Sequence, residues 1–272
     1  MTVITDLDDM FFTAISSRAD DLSRADIDLL AAGAVTAVHA RDFLDAGIRR
    51  ALMARIDAGE LAMENYDDRR VHPPIARFGP VVNDYRAAGG IAPAYWDAAA
   101  DARRGWAAAT TAGTDPMRAA VARLRLAWPG VVRPATVGGR TLFAGAVREI
   151  NDGALVHFDD VSRELGPDFF DDGPPIVQLA FNAWFEAPPE GGETTIWRRR
   201  WRPGDDAWRQ RYGYAPALVE GCPALRIEIE AGDALIFDPR NLHAVAPAVG
   251  GRRVAIAFFM ALTGRGELLL WS

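Results

Sequence analysis

The sequence predicts a mainly β fold, a double-stranded jelly roll supported by helices on its N-terminal side. Alanine-rich segments with helical spacing fill the first half of the chain. After Gly138-Gly139 they give way to short strand-like runs separated by Gly, Pro and Asp turns. Such a set of strands favours a β-sandwich or barrel, and a double-stranded jelly roll is the common way to close it. We therefore predict a single domain, with residues 1–138 as mostly helical support and residues 139–272 as the jelly-roll core.

The first half is assigned from periodicity and from residues that break regular structure. A strand at Gly33–His39 precedes an amphipathic helix whose apolar residues recur at helical spacing. Prolines and glycines predict loops between residues 60 and 90. Asp115-Pro116 supplies an N-cap and a first helical position for the last helix. The predicted helices are Ala25–Ala32, Asp42–Ile56, Ala94–Ala109 and Asp115–Ala127.

The second half is predicted to consist of strands, each bounded by turn residues. The longest are apolar or alternating runs, as expected for strands that pack in a core. The predicted strands are Thr141–Ile150, Ala154–Phe158, Ile176–Glu186, Thr194–Arg198, Leu225–Ile229, Ala234–Phe237, His243–Ala246 and Arg253–Ala261.

Composition limits the partners of the chain. Its 272 residues are half hydrophobic and carry a formal net charge of −7, which argues against a nucleic-acid or anionic-membrane binder and favours a small-molecule substrate. The single cysteine, Cys222, excludes an internal disulfide and suits a reducing compartment. The acidic start of the chain does not resemble a secretory signal, so we expect a cytoplasmic protein. Oligomeric state is left open.

A candidate metal site begins with His157-Phe-Asp159. In a strand, side chains at i and i+2 point to the same face, so this imidazole and carboxylate could reach one ion. Two His and one carboxylate form the set of ligands used by non-haem Fe(II) oxygenases. The third ligand is predicted to be His243, because His39 and His72 are better explained as a core or edge residue and a loop residue.

Arg253 is the candidate anion anchor. On a strand that begins there, Arg253, Ala255 and Ala257 share one face, which places an arginine beside two small side chains. This arrangement suits a carboxylate held by two parallel hydrogen bonds. Arg252 falls on the opposite face and is expected to form a surface ion pair.

Together these features resemble the Fe(II)/2-oxoglutarate-dependent dioxygenases of the prolyl-hydroxylase-like type. The resemblance rests on His157-x-Asp159, the Pro189-Glu-Gly-Gly-Glu-Thr194 turn, the Gly232-Asp233 lead-in, His243 and Arg253 ten residues later, and it covers the chain from about Leu142 to its end. It implies that the two His and the Asp hold Fe(II) and that 2-oxoglutarate chelates the iron. It also implies that Arg253 pairs with the distal carboxylate of 2-oxoglutarate. With O2, such an enzyme would hydroxylate an unactivated C–H bond and release succinate and CO2.

Within this family, the order of motifs is similar to carrier-independent hydroxylases and aliphatic halogenases that act on small natural products. The halogenases have Gly or Ala at the carboxylate position, so Asp159 favours hydroxylation. Asp160 could replace it only if the strand slipped by one residue, which would turn its side chain to the opposite face. Asn182 is placed on a strand that borders the pocket, where it is expected to contact 2-oxoglutarate or substrate.

Several alternatives remain at this stage. The same residues could serve a 2-oxoglutarate-dependent halogenase, desaturase or other tailoring enzyme. A cupin-like metal enzyme without 2-oxoglutarate would not need Arg253, and a non-catalytic metabolite-binding jelly roll would need neither site. Two further segments, Phe169–Gly173 and Arg198–Arg202, are interpreted as a lid or plain surface and as a solvated basic face.

Overall fold

The helices of the computed structural model support the predictions for the first half of the chain. The structure describes residues 12–88 and 90–272, so the acidic start of the chain and Gly89 lie outside it. The Asp115 side chain accepts hydrogen bonds from the backbone N–H groups of Met117 and Arg118, as an N-cap should. The second helix starts later than predicted, because Asp42 has a φ of 56° and Asp45 is the N-cap. The helices are α1 (Arg24–Ala31), α2 (Ala46–Asp57), α3 (Pro93–Ala109), α4 (Pro116–Ala127) and α5 (Val161–Leu165).

The strands are more numerous than predicted. They are β1 (Ala14–Arg18), β2 (Ala37–Arg41), β3 (Glu64–Asn65), β4 (Ala76–Phe78), β5 (Arg86–Ala87), β6 (Gly90–Ile91), β7 (Val132–Pro134), β8 (Thr136–Val137), β9 (Arg140–Thr141), β10 (Ala146–Glu149) and β11 (Ala154–His157). The chain continues with β12 (Val177–Glu186), β13 (Glu190–Gly191), β14 (Thr194–Arg200), β15 (Arg209–Gln210), β16 (Gly213–Tyr214), β17 (Ala224–Ile227), β18 (Ala234–Phe237), β19 (Asn241–Val245), β20 (Ala248–Val249), β21 (Val254–Leu262) and β22 (Leu268–Trp271).

Two sheets make up the β structure that positions the site. The larger, ten-stranded sheet runs β1-β2-β18-β12-β21-β10-β4-β3, with β22 beside β21 and β7 beside β22. The smaller, six-stranded sheet runs β15-β16-β11-β19-β14-β17. Apolar side chains from both sheets, such as Trp184 of β12 and Ile196 of β14, form one buried cluster, so the two sheets face each other. The protein is therefore mainly β with a smaller helical part, as predicted.

Alternation along β12 and β21 separates the two faces of the larger sheet. Phe181 and Ile256 belong to the large core that also contains side chains of α1 to α4. Trp184 and Ala255 belong to the cluster between the sheets. Because adjacent residues of a strand point to opposite faces, the helices cover one face of the sheet and the smaller sheet covers the other. The phase predicted for β21 places Arg253 and Ala255 on the same side, towards the smaller sheet.

Three sequence expectations differ from the structure. Thr141–Ile150 is not one strand, since the chain leaves extended conformation between β9 and β10, where Gly145 has a φ of 96°. The predicted loop at residues 60–90 contains β3 and β4, which extend the larger sheet. Phe169 and Phe170 are buried, and Phe170 packs against Trp271 with 4.9 Å between ring centroids, so this part of the Phe169–Gly173 segment is not plain surface. Within the described ranges, no helix has the length and hydropathy needed to cross a membrane.

Candidate active site

The structure brings His157, Asp159 and His243 together between the sheets. His157 ends β11 and lies directly opposite His243 of β19 in the antiparallel register. Asp159 lies just beyond the strand, where its backbone N–H donates to the carbonyl of Pro239 at 2.9 Å. Its Oδ2 is 3.9 Å from Nε2 of His157 and 3.5 Å from Nε2 of His243. The three possible metal-ligand atoms therefore lie close together, although Asp159 is no longer in the strand.

The second nitrogen of each imidazole is held by the backbone. Nδ1 of His157 lies 2.7 Å from the carbonyl oxygen of Leu155, and Nδ1 of His243 lies 2.9 Å from that of Asn241. A carbonyl oxygen can only accept, so both Nδ1 atoms carry the proton and donate it. In a neutral ring this leaves the lone pair on Nε2, the nitrogen that lies nearest the Asp159 carboxylate. This is how metal-binding histidines are usually oriented.

Electrostatics keep these groups in the protonation states that bind metals. Burial, and then repulsion from His243, lower the pKa of His157 to about 4. Burial alone would raise the pKa of Asp159, but its interactions with His243 and His157 outweigh it and lower that pKa to about 2. At neutral pH the cluster therefore offers a neutral imidazole at His157 and a carboxylate at Asp159, and metal binding need not displace a proton from either.

The donor set fits a divalent transition metal. The three ligand atoms lie within 4.8 Å of one another. The two Nε2 to Oδ2 separations are short enough for one ion to bond to each atom at about 2.1 Å. Two imidazoles and one carboxylate on one side of an ion are the arrangement typical of non-haem Fe(II). The residues present thus fit the iron that the motif predicts.

Asp160 has a separate role in the structure. Its side chain accepts a hydrogen bond from the backbone N–H of Arg163 at 3.2 Å and caps α5. It is thus engaged at the start of a helix while Asp159 points at the histidines. The strand does not slip by one residue.

Arg253 lies one residue before β21 and is buried, with 3% of its surface exposed. Its Nε donates to the carbonyl of Gly192 at 2.8 Å, and its Nη2 donates to the Thr194 hydroxyl at 3.3 Å. Its guanidinium carbon lies 5.4 Å from the ring centroid of Trp184. Burial, and then the nearby charge of Arg148, lower the pKa of Arg253 to about 9. In the described part of the chain no carboxylate pairs with it, so its remaining N–H groups suit an anionic ligand.

The Gly191-Gly192 turn shapes the seat of Arg253. Gly192 has a φ of 70°, and a Cβ there would lie 2.8 Å from Cγ of Pro188 and 3.4 Å from Cδ of Arg253. Only glycine allows the chain to pass this close while its carbonyl receives the Nε hydrogen bond. The turn that carried part of the sequence motif therefore holds the arginine in place. Arg252, in contrast, pairs with Glu149 and Asp57 at the surface, as predicted.

One cavity of about 670 Å³ joins the metal cluster and Arg253. Asn182 of β12 also lines it, on the same face of the strand as Trp184. Strand β10, which is separated from β12 by β21, contributes Arg148, whereas Glu149 turns away to its ion pair with Arg252. The structure thus brings all five predicted site residues into one place: His157, Asp159, Asn182, His243 and Arg253.

The outer part of this cavity was not predicted from the sequence. It is lined by residues of the 60–90 segment, by α5 and by the turn around Tyr212. Asn83 donates a hydrogen bond to Glu164, and burial raises the pKa of Glu164 to about 7. The Tyr212 hydroxyl accepts from the backbone N–H of Leu155 at 2.8 Å. Only the polar and aromatic residues in otherwise irregular stretches could have indicated these positions, and such residues are common in any loop.

The other conspicuous residues have structural roles. His39 lies 2.7 Å from Asp233, whose carboxylate also accepts from the backbone N–H of Asp42, so the Gly232-Asp233 segment ties β18 to the start of α2. His72 is exposed. Arg199 and Arg200 form ion pairs with Asp205 and Asp238 and do not line the cavity.

The chain resembles known proteins in sequence. No protein-family model matches it. It is 40% identical over 264 residues to L-gamma-glutamyl-L-propargylglycine hydroxylase of Streptantibioticus cattleyicolor, a match that covers 96% of each chain. It is also 30% identical over 163 residues to leucinostatins biosynthesis cluster protein S of Purpureocillium lilacinum, which covers 53% of this chain and 64% of that protein.

The fold is shared with a solved structure. An N-substituted L-amino acid dioxygenase from Burkholderia ambifaria superposes with a TM-score of 0.60 at 18% identity, over 92% of this chain and 91% of that one. At this identity the match establishes the common fold. The match to the Streptantibioticus hydroxylase, which runs the length of both chains, establishes kinship.

Proposed function

The chain belongs to the Fe(II)/2-oxoglutarate-dependent dioxygenases, and we propose that in it His157, Asp159 and His243 hold the iron while Arg253 holds the cosubstrate. The enzyme hydroxylates a small metabolite and releases succinate and CO2. One observation supports this assignment of residues. The metal cluster and a buried arginine that has no carboxylate partner among the described residues line the same cavity.

The substrate is proposed to be an amino acid or a γ-glutamyl dipeptide. The hydroxylase that is 40% identical acts, by its name, on L-gamma-glutamyl-L-propargylglycine. A cavity of about 670 Å³ falls within the range of roughly 300–1,000 Å³ that holds small molecules. It can therefore hold a dipeptide beside 2-oxoglutarate.

The side chains of the site bind, orient and exclude water. Bound iron would supply the activation of O2, and 2-oxoglutarate supplies two electrons as it becomes succinate and CO2. Leu155 and Asn241 fix both imidazoles through their carbonyl oxygens. Arg253 orients the cosubstrate through its distal carboxylate, and Asn182 is placed to contact the cosubstrate or the substrate. One oxygen atom of O2 enters the C–H bond of the substrate, and the other enters succinate.

Hydroxylation is favoured over halogenation because a carboxylate occupies the third ligand position. Asp159 points its Oδ2 at both Nε2 atoms, and Asp160 is engaged as the cap of α5. A chloride ion would therefore have to displace a ligand that the fold holds in place.

Two broader features complete the proposal. The facing sheets are proposed to form a double-stranded β-helix within a single domain, with residues 1–138 as its support. The single cysteine, Cys222, is consistent with an enzyme of the cytoplasm.

Anaerobic titration tests the residue assignment. Adding Fe(II) and 2-oxoglutarate to the purified protein should produce a weak visible charge-transfer band. The band should be missing in the double variant Asp159→Ala, His243→Ala, while Asp160→Ala keeps it. A folded native protein without the band, or a folded double variant that retains it, would refute the ligand set.

A further inference from the structure

The second arginine of the cavity, Arg148, is buried at its Nε without a hydrogen-bond partner. It lies in β10 opposite Ala255 of β21, so its side chain shares the inner face of the larger sheet with Ala255. Among residues 12–88 and 90–272, none accepts a hydrogen bond from its guanidinium or forms an ion pair with it. The buried Nε has lost hydration without gaining a partner, which is unfavourable unless a ligand supplies the missing acceptor.

The neighbouring arginine in the sheet shows what an ordinary structural role looks like. Arg77 of β4 pairs with Arg148 in the strand register. Its Nη1 donates to the carbonyl of Gly79 at 2.6 Å, and its Nη2 lies 3.0 Å from the Asp84 carboxylate. Arg77 does not line the cavity, whereas Arg148 does. Of these two neighbouring arginines, only Arg148 lines the cavity, and only Arg148 has no hydrogen-bond acceptor among the described residues.

The charge of the cavity also points to an anion. Its lining contains seven arginines and three carboxylates, although the whole chain has a net charge of −7. Arg253 is assigned to the cosubstrate, and Asp159 to the metal. Arg148 is therefore a cation near the metal cluster that is available to bind a second anionic ligand.

We propose that Arg148 binds a carboxylate of the substrate, which makes the substrate class a free carboxylic acid of amino-acid or dipeptide type. The inference rests on the proposed function. A guanidinium presents parallel N–H groups that match the two oxygens of a planar carboxylate. Arg148 enters from β10 and Arg253 from the end of β21, so the two arginines can hold two different anions in one cavity. Arg148 then acts as a specificity-determining residue that positions the substrate relative to the metal.

The test measures succinate formation by the Fe(II)-loaded enzyme with amino acids and γ-glutamyl dipeptides, each as the free acid and as the carboxamide. Free acids should stimulate native turnover above the basal, substrate-independent rate. Replacing the carboxylate by a carboxamide, or Arg148 by Gln, should each lower kcat/KM by about 30-fold or more, as expected for one member of a buried charge pair. Combining both changes should cost little more than either alone, because each removes the same interaction.

Two controls separate this role from a general effect of charge or from cosubstrate binding. Arg69→Gln removes a charge at the same cavity, but its guanidinium pairs with Asp67 and is exposed, so kcat/KM should change less than about 3-fold. In Arg148→Gln, the KM for the free acid should rise far more than the KM for 2-oxoglutarate.

Three results would overturn the proposal. In the first, carboxamides have the same kcat/KM as the acids in the native enzyme. In the second, the losses of kcat/KM add fully when Arg148→Gln is assayed with a carboxamide, and in the third, Arg148→Gln raises the KM for 2-oxoglutarate as much as the KM for substrate. Stimulation by none of the acids, with basal succinate formation intact, would refute the substrate class and leave the proposed roles of the metal ligands and of Arg253 standing. The absence of basal succinate formation from folded, iron-loaded protein would refute both.

Discussion

The two ends of the cavity are built from different kinds of structure. At the inner end, strands β11, β19 and β21 set the positions of side chains through their register, and backbone carbonyls fix both imidazoles. At the outer end, the residues come from loops and a short helix, namely the segment around Tyr66, helix α5 and the turn at Tyr212. The difference indicates a division in which strands position the metal ligands and both arginines, whereas loops at the outer end contact the rest of the substrate.

The strongest test of this division compares two adjacent acids. Asp159→Ala should lower turnover at least about 100-fold with every substrate, because a ligand of the metal is lost. Asp160→Ala removes only the cap of α5, so it should cost about 1 kcal/mol of stability and leave turnover largely intact. Succinate assays and thermal melts of both variants give the comparison. Equal losses of turnover would mean that the two carboxylates are not separated as the structure places them.

The next largest effect is expected at adjacent arginines. Arg253→Gln should raise the KM for 2-oxoglutarate about 30-fold or more, since a buried carboxylate would lose its partner at a cost of roughly 2–5 kcal/mol. Arg252→Gln breaks partly exposed ion pairs with Glu149 and Asp57 and should change that KM less than about 3-fold. Basal succinate formation measured over a range of 2-oxoglutarate concentrations decides between them. Similar KM values for the two variants would contradict the placement of Arg253 in the cavity and of Arg252 outside it.

A smaller effect should follow from moving Arg253 without removing it. Gly192→Ala adds a Cβ next to Pro188 and Arg253 at a φ of 70°, so the turn must shift and displace the acceptor of the Nε hydrogen bond. The KM for 2-oxoglutarate should rise about 10-fold, because one hydrogen bond to a charged group is worth roughly 1.5–3 kcal/mol. Gly204→Ala, at a position where a Cβ meets no atom within 4 Å, is the matched control. A native KM in folded Gly192→Ala would show that the turn does not position the arginine.

The same division explains how much the sequence could predict. His157, Asp159 and Arg253 were found because strand periodicity relates sequence spacing to a shared face, and His243 because no other histidine follows His157. The break at Gly145 within a predicted strand was missed, since periodicity does not reveal a φ of 96°.

The outer residues had no comparable signal. Tyr66, Glu164 and Tyr212 line one cavity only through long-range packing of loops and a short helix, and nothing in their local sequence distinguishes them from surface residues. Arg148 could be placed on a strand, but which of Arg148 and Glu149 faces inward depends on the register with β21 and β4. Specificity is therefore the part of this enzyme that the sequence predicted least.

The smallest expected effect distinguishes a carboxylate of the outer cavity, Glu164, from a paired carboxylate outside the cavity, Glu149, by the sign of a pH dependence. Burial, and then the charge of Asp159, raise the pKa of Glu164 to about 7, above its ordinary value of 4.5. A raised pKa means that the folded state favours the protonated form, so the contribution of Glu164 to stability is full below pH 4.5 and is lost as pH rises through 7. In metal-free protein, Glu164→Gln should therefore match the native melting temperature near pH 4.5 and exceed it at pH 8. The gain corresponds to on the order of 1–3 kcal/mol.

Glu149, the last residue of β10, should behave in the opposite way. Its hydrogen bonds from Arg252 outweigh partial burial and lower the pKa of its carboxyl group. Its contribution to stability is therefore present above its ordinary pKa and is lost as pH falls, so Glu149→Gln should lower the melting temperature at pH 8 and have less effect at acid pH. Thermal melts of both variants from pH 4.5 to pH 8, in chelator, measure the two slopes. Slopes of the same sign would show that Glu164 is paired in the fold as firmly as Glu149, which would remove Glu164 as a charge available to the substrate.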